Sequence, residues 1–181
     1  MTIRVKSNEF EEQFQEADEK ELQWDVSDRL DITYKFDARF SQGWRREIQL
    51  REGILLTIDR HQLVDRLILN QFERESYWFW CCFTLSGRGQ LIIPSTLSDN
   101  LFPRTAGNYT LKSNGLSPQL IIDESDINPY SHLFITIRPS ILRSFTSSPE
   151  EEIPINLQHL IKLQSQEVYW GSRDITQVMA T

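Results

Sequence analysis

A chain of 181 residues with 26 acidic against 19 basic side chains carries a formal charge of −7. It is poorly suited to clamp a phosphate backbone, because non-specific nucleic-acid affinity comes from lysine and arginine displacing counterions. With 39% hydrophobic and 25% charged residues, 7 glycines and 7 prolines, the composition is neither disordered nor fibrous, and the length suits one compact domain with peripheral helices.

The first segment is acidic and helical in period. Phe10, Phe14 and Ala17 share a face at i, i+4, i+7, Ser7 can cap the helix, and Glu9, Glu11, Glu12 and Glu16 read as a solvated face, so residues 1–28 are expected to form an N-terminal acidic helix. From Asp31 the period becomes two. Ile32, Tyr34 and Phe36 alternate with Thr33, Lys35 and Asp37, and Gln42-Gly43 breaks the run. On the next strand Trp44, Arg46, Ile48 and Leu50 lie opposite Arg45, Glu47, Gln49 and Arg51. Gly53 marks a turn before Ile54, Leu56 and Ile58.

Leu67-Ile68-Leu69 predicts a short strand, and Tyr77 to Leu85 the most apolar one, with neither face wet. Ser86-Gly87-Arg88-Gly89 reads as a hairpin turn into Gln90–Ile93. Pro94 to Gly107 is expected to be a polar connection. Short β runs follow at Tyr109–Leu111 and Leu120–Ile122, and His132–Arg138 is expected to be the last strand. Pro139 suits a helix start before Ile141, Leu142 and Phe145, and after an acidic linker, Ser147 to Glu152, Pro154 opens a second helix with Leu157, Leu160 and Ile161. Gln164 to Thr181 has no strong periodicity. Roughly eight short strands between helices favour a barrel or sandwich.

The longest uncharged stretch, Ser76 to Gly87, falls short of the ~20 apolar residues a bilayer span needs, and Met1-Thr2-Ile3-Arg4 opens no signal-peptide pattern, so a cytoplasmic protein is expected. Cys81 and Cys82 are neighbours on a strand and point to opposite faces; they are expected as buried thiols. His61, His132 and His159 are scattered without a His-x-His pair, which speaks against a protein-ligated metal. There is no GxSxG elbow, P-loop or HExxH, Gly87-Arg88-Gly89 lacks the third glycine of a dinucleotide fingerprint, and pairs such as Asp59 with Asp65 or Asp123 with Glu124 have no evident substrate between them. No enzyme activity and no catalytic residue is expected. Aromatic density stands out instead: Trp44, Tyr77, Trp78, Phe79, Trp80 and Phe83 either fill a core or line an interior, where rings can stack on a planar ligand with Arg46 as a charged anchor.

The stretch Gln42-Gly43-Trp44-Arg45-Arg46-Glu47-Ile48-Gln49-Leu50-Arg51-Glu52-Gly53-Ile54 resembles a segment of AraC-type transcription regulators of the pyochelin-responsive group, abundant in cyanobacteria. The resemblance continues at Thr84-Leu85-Ser86-Gly87, at Phe134 through Phe145, and at Ile153-Pro154 through Ile161, and covers most of residues 30 to 179. It implies a cupin-like antiparallel β barrel or jelly roll at residues 29–138, followed by a helical extension at 139–181 that leads in the family to two helix-turn-helix units. Only 11 residues follow Trp170, too few for those units, so a truncated or free-standing sensor is expected.

The expectation is thus a mainly β (α+β) domain that senses a small effector, with an iron-loaded siderophore as the effector the resemblance implies and no other cofactor. The effector would lie against Trp44, Arg46, Ile48, Trp78, Trp80 and Phe83. The chain would bind neither DNA nor membrane itself, and would pair with a second copy or a full-length regulator. The alternative is a stand-alone interaction module that joins such a regulator through its terminal helices.

Overall fold

Alternating side chains build almost the whole molecule. The computed structural model describes residues 1–15, 23–24, 30–72, 74–76, 78–94, 99–112, 115–117, 119–124, 128–145 and 170–174. In chain order these form β1 (Thr2–Lys6), α1 (Ser7–Gln15), β2 (Gln23–Trp24), β3 (Asp31–Lys35), β4 (Ser41–Arg51), β5 (Ile54–Leu63), β6 (Arg66–Gln71), β7 (Arg74–Ser76), β8 (Phe79–Ser86), β9 (Arg88–Ile93) and β10 (Asn100–Thr105). There follow β11 (Asn108–Lys112), β12 (Gly115–Ser117), β13 (Leu120–Glu124), β14 (Tyr130–Ile137), α2 (Pro139–Phe145) and β15 (Trp170–Asp174). No helix among the described residues is long and apolar enough to cross a membrane.

Two sheets carry the fold, with a small β12-β7 pair beside them. One has the order β1-β6-β13-β9-β10, the other β15-β11-β8-β14-β5-β4-β3-β2. All pairings are antiparallel except β1 with β6. The described residues are mainly β, with a cupin-like, jelly-roll arrangement in which alternate residues of the longer strands point into the space between the two large sheets.

One end of that space is solid. Phe40, Leu63, Leu67, Leu69 and Tyr130 are buried together, with Ile3, Val5, Phe10 and Ile122 packed against them. Phe10 brings α1 onto this plug, its ring 5.7 Å from Phe40 and 6.5 Å from Phe36. Burying such a side chain is worth about 1.5–3 kcal/mol, enough to hold a short helix that would not persist alone. The outer face of the larger sheet has its own cluster, Phe79 and Cys81 with Phe83, Ile135, Ile137 and Leu142 of α2.

Several elements depart from expectation, among them β2, a strand inside the supposed 1–28 helix, and the unforeseen short strands β7 and β12. Thr2–Lys6 is a strand rather than the start of the acidic helix, because Ile3 and Val5 alternate with exposed Thr2, Arg4 and Lys6 and pair with Leu67 and Leu69. The supposed polar connection Pro94–Gly107 contains β10, which tolerates Pro103 as the edge strand of its sheet. His132–Arg138 is not the last strand: β15 pairs with β11. The linker Ser147 to Glu152, the expected helix opening at Pro154 with Leu157, Leu160 and Ile161, and Glu16 and Ala17 of the first segment lie outside the described residues.

Gly43 lies opposite His61 where β4 crosses β5, at φ 144°. A Cβ there would fall on the Arg60 carbonyl oxygen and 2.6 Å from His61 Cα, both backbone atoms that cannot swing away. Gly43→Ala is therefore expected to cost on the order of 3 kcal/mol. Thermal unfolding should register this as a loss of roughly 6–12 °C.

Candidate functional site

Between the sheets, beside the plug, lies a cavity of about 350 Å³. The volume falls in the range of small-molecule sites. Its walls fall into two halves. One half is polar: Arg45 and Asp59, His61, His132, Arg104 and Glu124. The other is largely aromatic and aliphatic: Trp78, Trp80, Phe134, Leu91, Leu120 and Ile122, with Lys112, Thr136 and Gln71 among them. Ser7, Phe10 and Glu11 of α1 complete the lining.

Register explains the division. Across the larger sheet, Thr84, His132, Asp59 and Arg45 form one transverse row, and Lys112, Trp80 and Thr136 another four residues further along the strands. Four residues of strand span about 13 Å. Across the smaller sheet, Glu124 faces Gly89, and Gly89 faces Arg104. With no side chain at position 89, the Arg104 guanidinium can reach over the strand to Glu124. A Cβ at Gly89 would stand 2.8 Å from the Asp123 carbonyl oxygen and 3.4 Å from Glu124 Cα.

Arg104 joins the sheets. It donates from Nη1 to Glu124 Oε1 at 3.1 Å, and from Nη2 to His132 Nδ1 at 3.2 Å and Cys82 Sγ at 3.8 Å. Glu124 Oε2 also takes His61 Nε2 at 3.5 Å. Beside this cluster Arg45 holds Asp59 with both carboxylate oxygens, at 2.7 and 2.6 Å. Arg104, Glu124, His61 and His132 are each no more than 6% exposed.

These contacts fix protonation. Burial, the largest influence, pushes Glu124 up, but the hydrogen bond from His61 and the charge of Arg104 outweigh it and hold the carboxyl down at about 2. Burial and then the Arg104 charge depress His132 to about 3, so its ring is neutral at physiological pH. An arginine can only donate, so His132 Nδ1 must accept and the proton sits on Nε2. His61 donates from Nε2 to the ionised Glu124, and its Nδ1 makes no hydrogen bond among the described residues.

Several polar atoms of this lining have no hydrogen-bond partner among the described residues: His132 Nε2, His61 Nδ1, Arg104 Nε and, further along the cavity, Gln71 Nε2. An unmet buried donor or acceptor costs about 1–3 kcal/mol. Among the described residues no group of three or more His, Cys, Asp and Glu is placed to hold a metal ion. His61, His132 and Glu124 do not fit one, because the Arg104 guanidinium already takes His132 Nδ1 and Glu124.

Of the residues singled out from sequence, Trp78 and Trp80 line the cavity, and Trp80 lies 5.4 Å from the Phe134 ring. Trp44, Arg46, Ile48 and Phe83, expected beside them, lie on the opposite faces of their strands. Arg46 makes a bidentate pair with Asp31, and Phe83 belongs to the outer cluster under α2. The inward face of β4 is the charged one, since Arg45 finds Asp59 directly across the hairpin. Burial raises the Cys81 thiol to about 12, and burial also raises Cys82 against the pull of Arg104, so both cysteines are buried thiols. The signal that sequence reading missed was the histidine pair, 6.4 Å apart ring to ring on adjacent strands.

No family model matches the chain, and no curated protein matches its sequence. Among solved structures, unsaturated fatty acid-bound ToxT of Vibrio cholerae strain SCE256 superposes with a TM-score of 0.49 at 10% identity, over 72% of this chain and 44% of that one. Oxalate decarboxylase of Bacillus subtilis superposes with a TM-score of 0.38 at 12% identity, over 76% of this chain and 41% of that one. The chain spans less than half the length of either. Likeness at this level names no family.

The buried cluster makes the fold acid-sensitive. The folded His132 value, about 3, is below the ordinary 6.5, so as pH falls below 6.5 the unfolded chain takes up a proton that the native ring refuses. Glu124, held at about 2 against an ordinary 4.5, adds its loss below pH 4.5. Urea unfolding is expected to show stability declining from pH 6.5 to 4 with a slope approaching about 1.4 kcal/mol per unit, flatter in His132→Asn. Glu124→Gln leaves the Arg104 charge buried without its carboxylate and is expected to cost about 3–5 kcal/mol in the same measurement at pH 7.

Proposed function

We propose that the chain is the effector-sensing β domain of an AraC-type transcription regulator, taking a small organic molecule into the cavity between its sheets. The observation that carries the sensing half of this reading is the combination of an interior volume with buried hydrogen-bonding atoms that no described residue satisfies. Such atoms are costly in an empty protein and become favourable contacts once a ligand meets them. The regulator half rests on the sequence resemblance, whose longest stretches fall on β4, its turn into β5, and the passage from β14 into α2.

In this reading the chain performs no catalysis. The effector stabilises one of two arrangements of the domain and so biases a DNA-binding partner, whether attached or associated, in the cytoplasm. The sheets need not move far, because Arg104 touches both and a ligand beside it changes the terms on which they are held together. The resemblance makes an iron-loaded siderophore the first effector to try.

Calorimetric titration with ferric pyochelin and with catechol and salicylate fragments, paired with thermal melting, is the test. A true effector at 100 times its Kd adds about 2.7 kcal/mol to the folded state. Trp80→Ala is expected to weaken binding at least tenfold, while Trp44→Ala, on the outer face, stays within twofold. A ligand that binds equally well to both variants would place the site elsewhere.

A further inference from the structure

The polar half of the cavity contains two cations and two anions, already matched to one another: Arg104 with Glu124, and Arg45 with Asp59. Hydrogen-bonding capacity, rather than charge, is left over. Among the described residues His132 Nε2–H and Arg104 Nε–H are donors without a hydrogen-bond partner, and His61 Nδ1 makes no hydrogen bond. The three residues are in contact or nearly so: Arg104 Nη2 lies 3.2 Å from His132, whose ring is 6.4 Å from that of His61. A carboxylate placed here would stand beside the ionised Glu124, and an ammonium beside the Arg104 guanidinium. Either would bring a buried charge to a cluster whose own described charges, Arg104 with Glu124 and Arg45 with Asp59, are already paired.

We propose, granting that the cavity is an effector site, that the effector's polar end is an uncharged, acceptor-rich group of the carboxamide, lactone or ketone class on an apolar or aromatic body. A carboxamide, lactone or ketone answers both open donors of the cluster, since its carbonyl oxygen has two lone pairs for the His132 and Arg104 N–H groups. The body then runs along Ile122, Leu91, Phe134 and Trp80, where rings and aliphatic chains offer dispersion.

The test uses three probes that share one body and differ in charge: 2-naphthamide, 2-naphthoate and 2-naphthylmethylammonium, titrated into the whole chain by ligand-observed NMR. The amide is expected to bind saturably and at least tenfold more tightly than either ion. In His132→Asn, whose Oδ1 keeps an acceptor for Arg104 but which lacks the Nε2–H, amide affinity should fall at least tenfold with cooperative melting retained. Either ion binding as tightly as the amide overturns the proposal, as does a folded His132→Asn with unchanged affinity. A chain that binds a siderophore or its fragments but not the amide overturns it while leaving the sensor reading intact, and a chain that binds nothing in either set overturns both. The three-probe comparison on the unaltered chain decides the matter even where the variant does not fold.

Discussion

A buried guanidinium that cannot lose its proton sets the terms for the interior. Arg104 sits between two sheets, almost without solvent, and its charge has to be answered there. The neighbouring groups follow from that one requirement. Glu124 stays ionised to balance it, His132 stays neutral to accept from it, Gly89 gives up a side chain to let it pass, and Cys82 remains a thiol at its edge. Once the His132 tautomer is set in this way, the N–H it leaves open is set too.

The interior is therefore layered. Below lies the hydrocarbon plug of Phe40, Leu63, Leu67 and Tyr130, then the charged and imidazole layer, then space lined by tryptophan, phenylalanine and leucine. A polar layer over a packed core gives a guest molecule an orientation as well as a place, since only one of its ends can meet hydrogen-bonding groups. Buried polar clusters of this kind are poor contributors to stability and are strongly specifying. Their position at the end of an open volume suits recognition better than architecture.

Strand alternation made β3 to β6, β8, β9, β11, β13 and β14 legible, and Pro139 marked the one C-terminal helix that is described. What stayed hidden depended on partners remote in sequence. A short N-terminal run joins a parallel neighbour, β10 carries an internal proline as the end strand in the order of its sheet, and β15 returns to β11. The interior face of β4 was misjudged for a related reason. A strand with Trp44, Ile48 and Leu50 on one side and Arg45 and Glu47 on the other looks oriented by hydrophobicity, yet the register shift between Gln49 and Arg51 sets Arg45 opposite Asp59 and makes burial of the charged side affordable. His61 and His132 likewise look unrelated until β5 and β14 pair.

Adjacent cysteines on β8 give the molecule two built-in reporters in separate compartments. Cys82 faces the guanidinium layer between the sheets, and Cys81 packs in the cluster beneath α2. Both sulfurs are shielded and held as unreactive thiols, so an alkylating reagent reaches either one only when the surrounding structure opens. The two labelling rates therefore clock different events: parting of the sheets for one sulfur, lifting of the short helix for its neighbour. A guest that clasps the sheets together would slow the first clock and leave the second running.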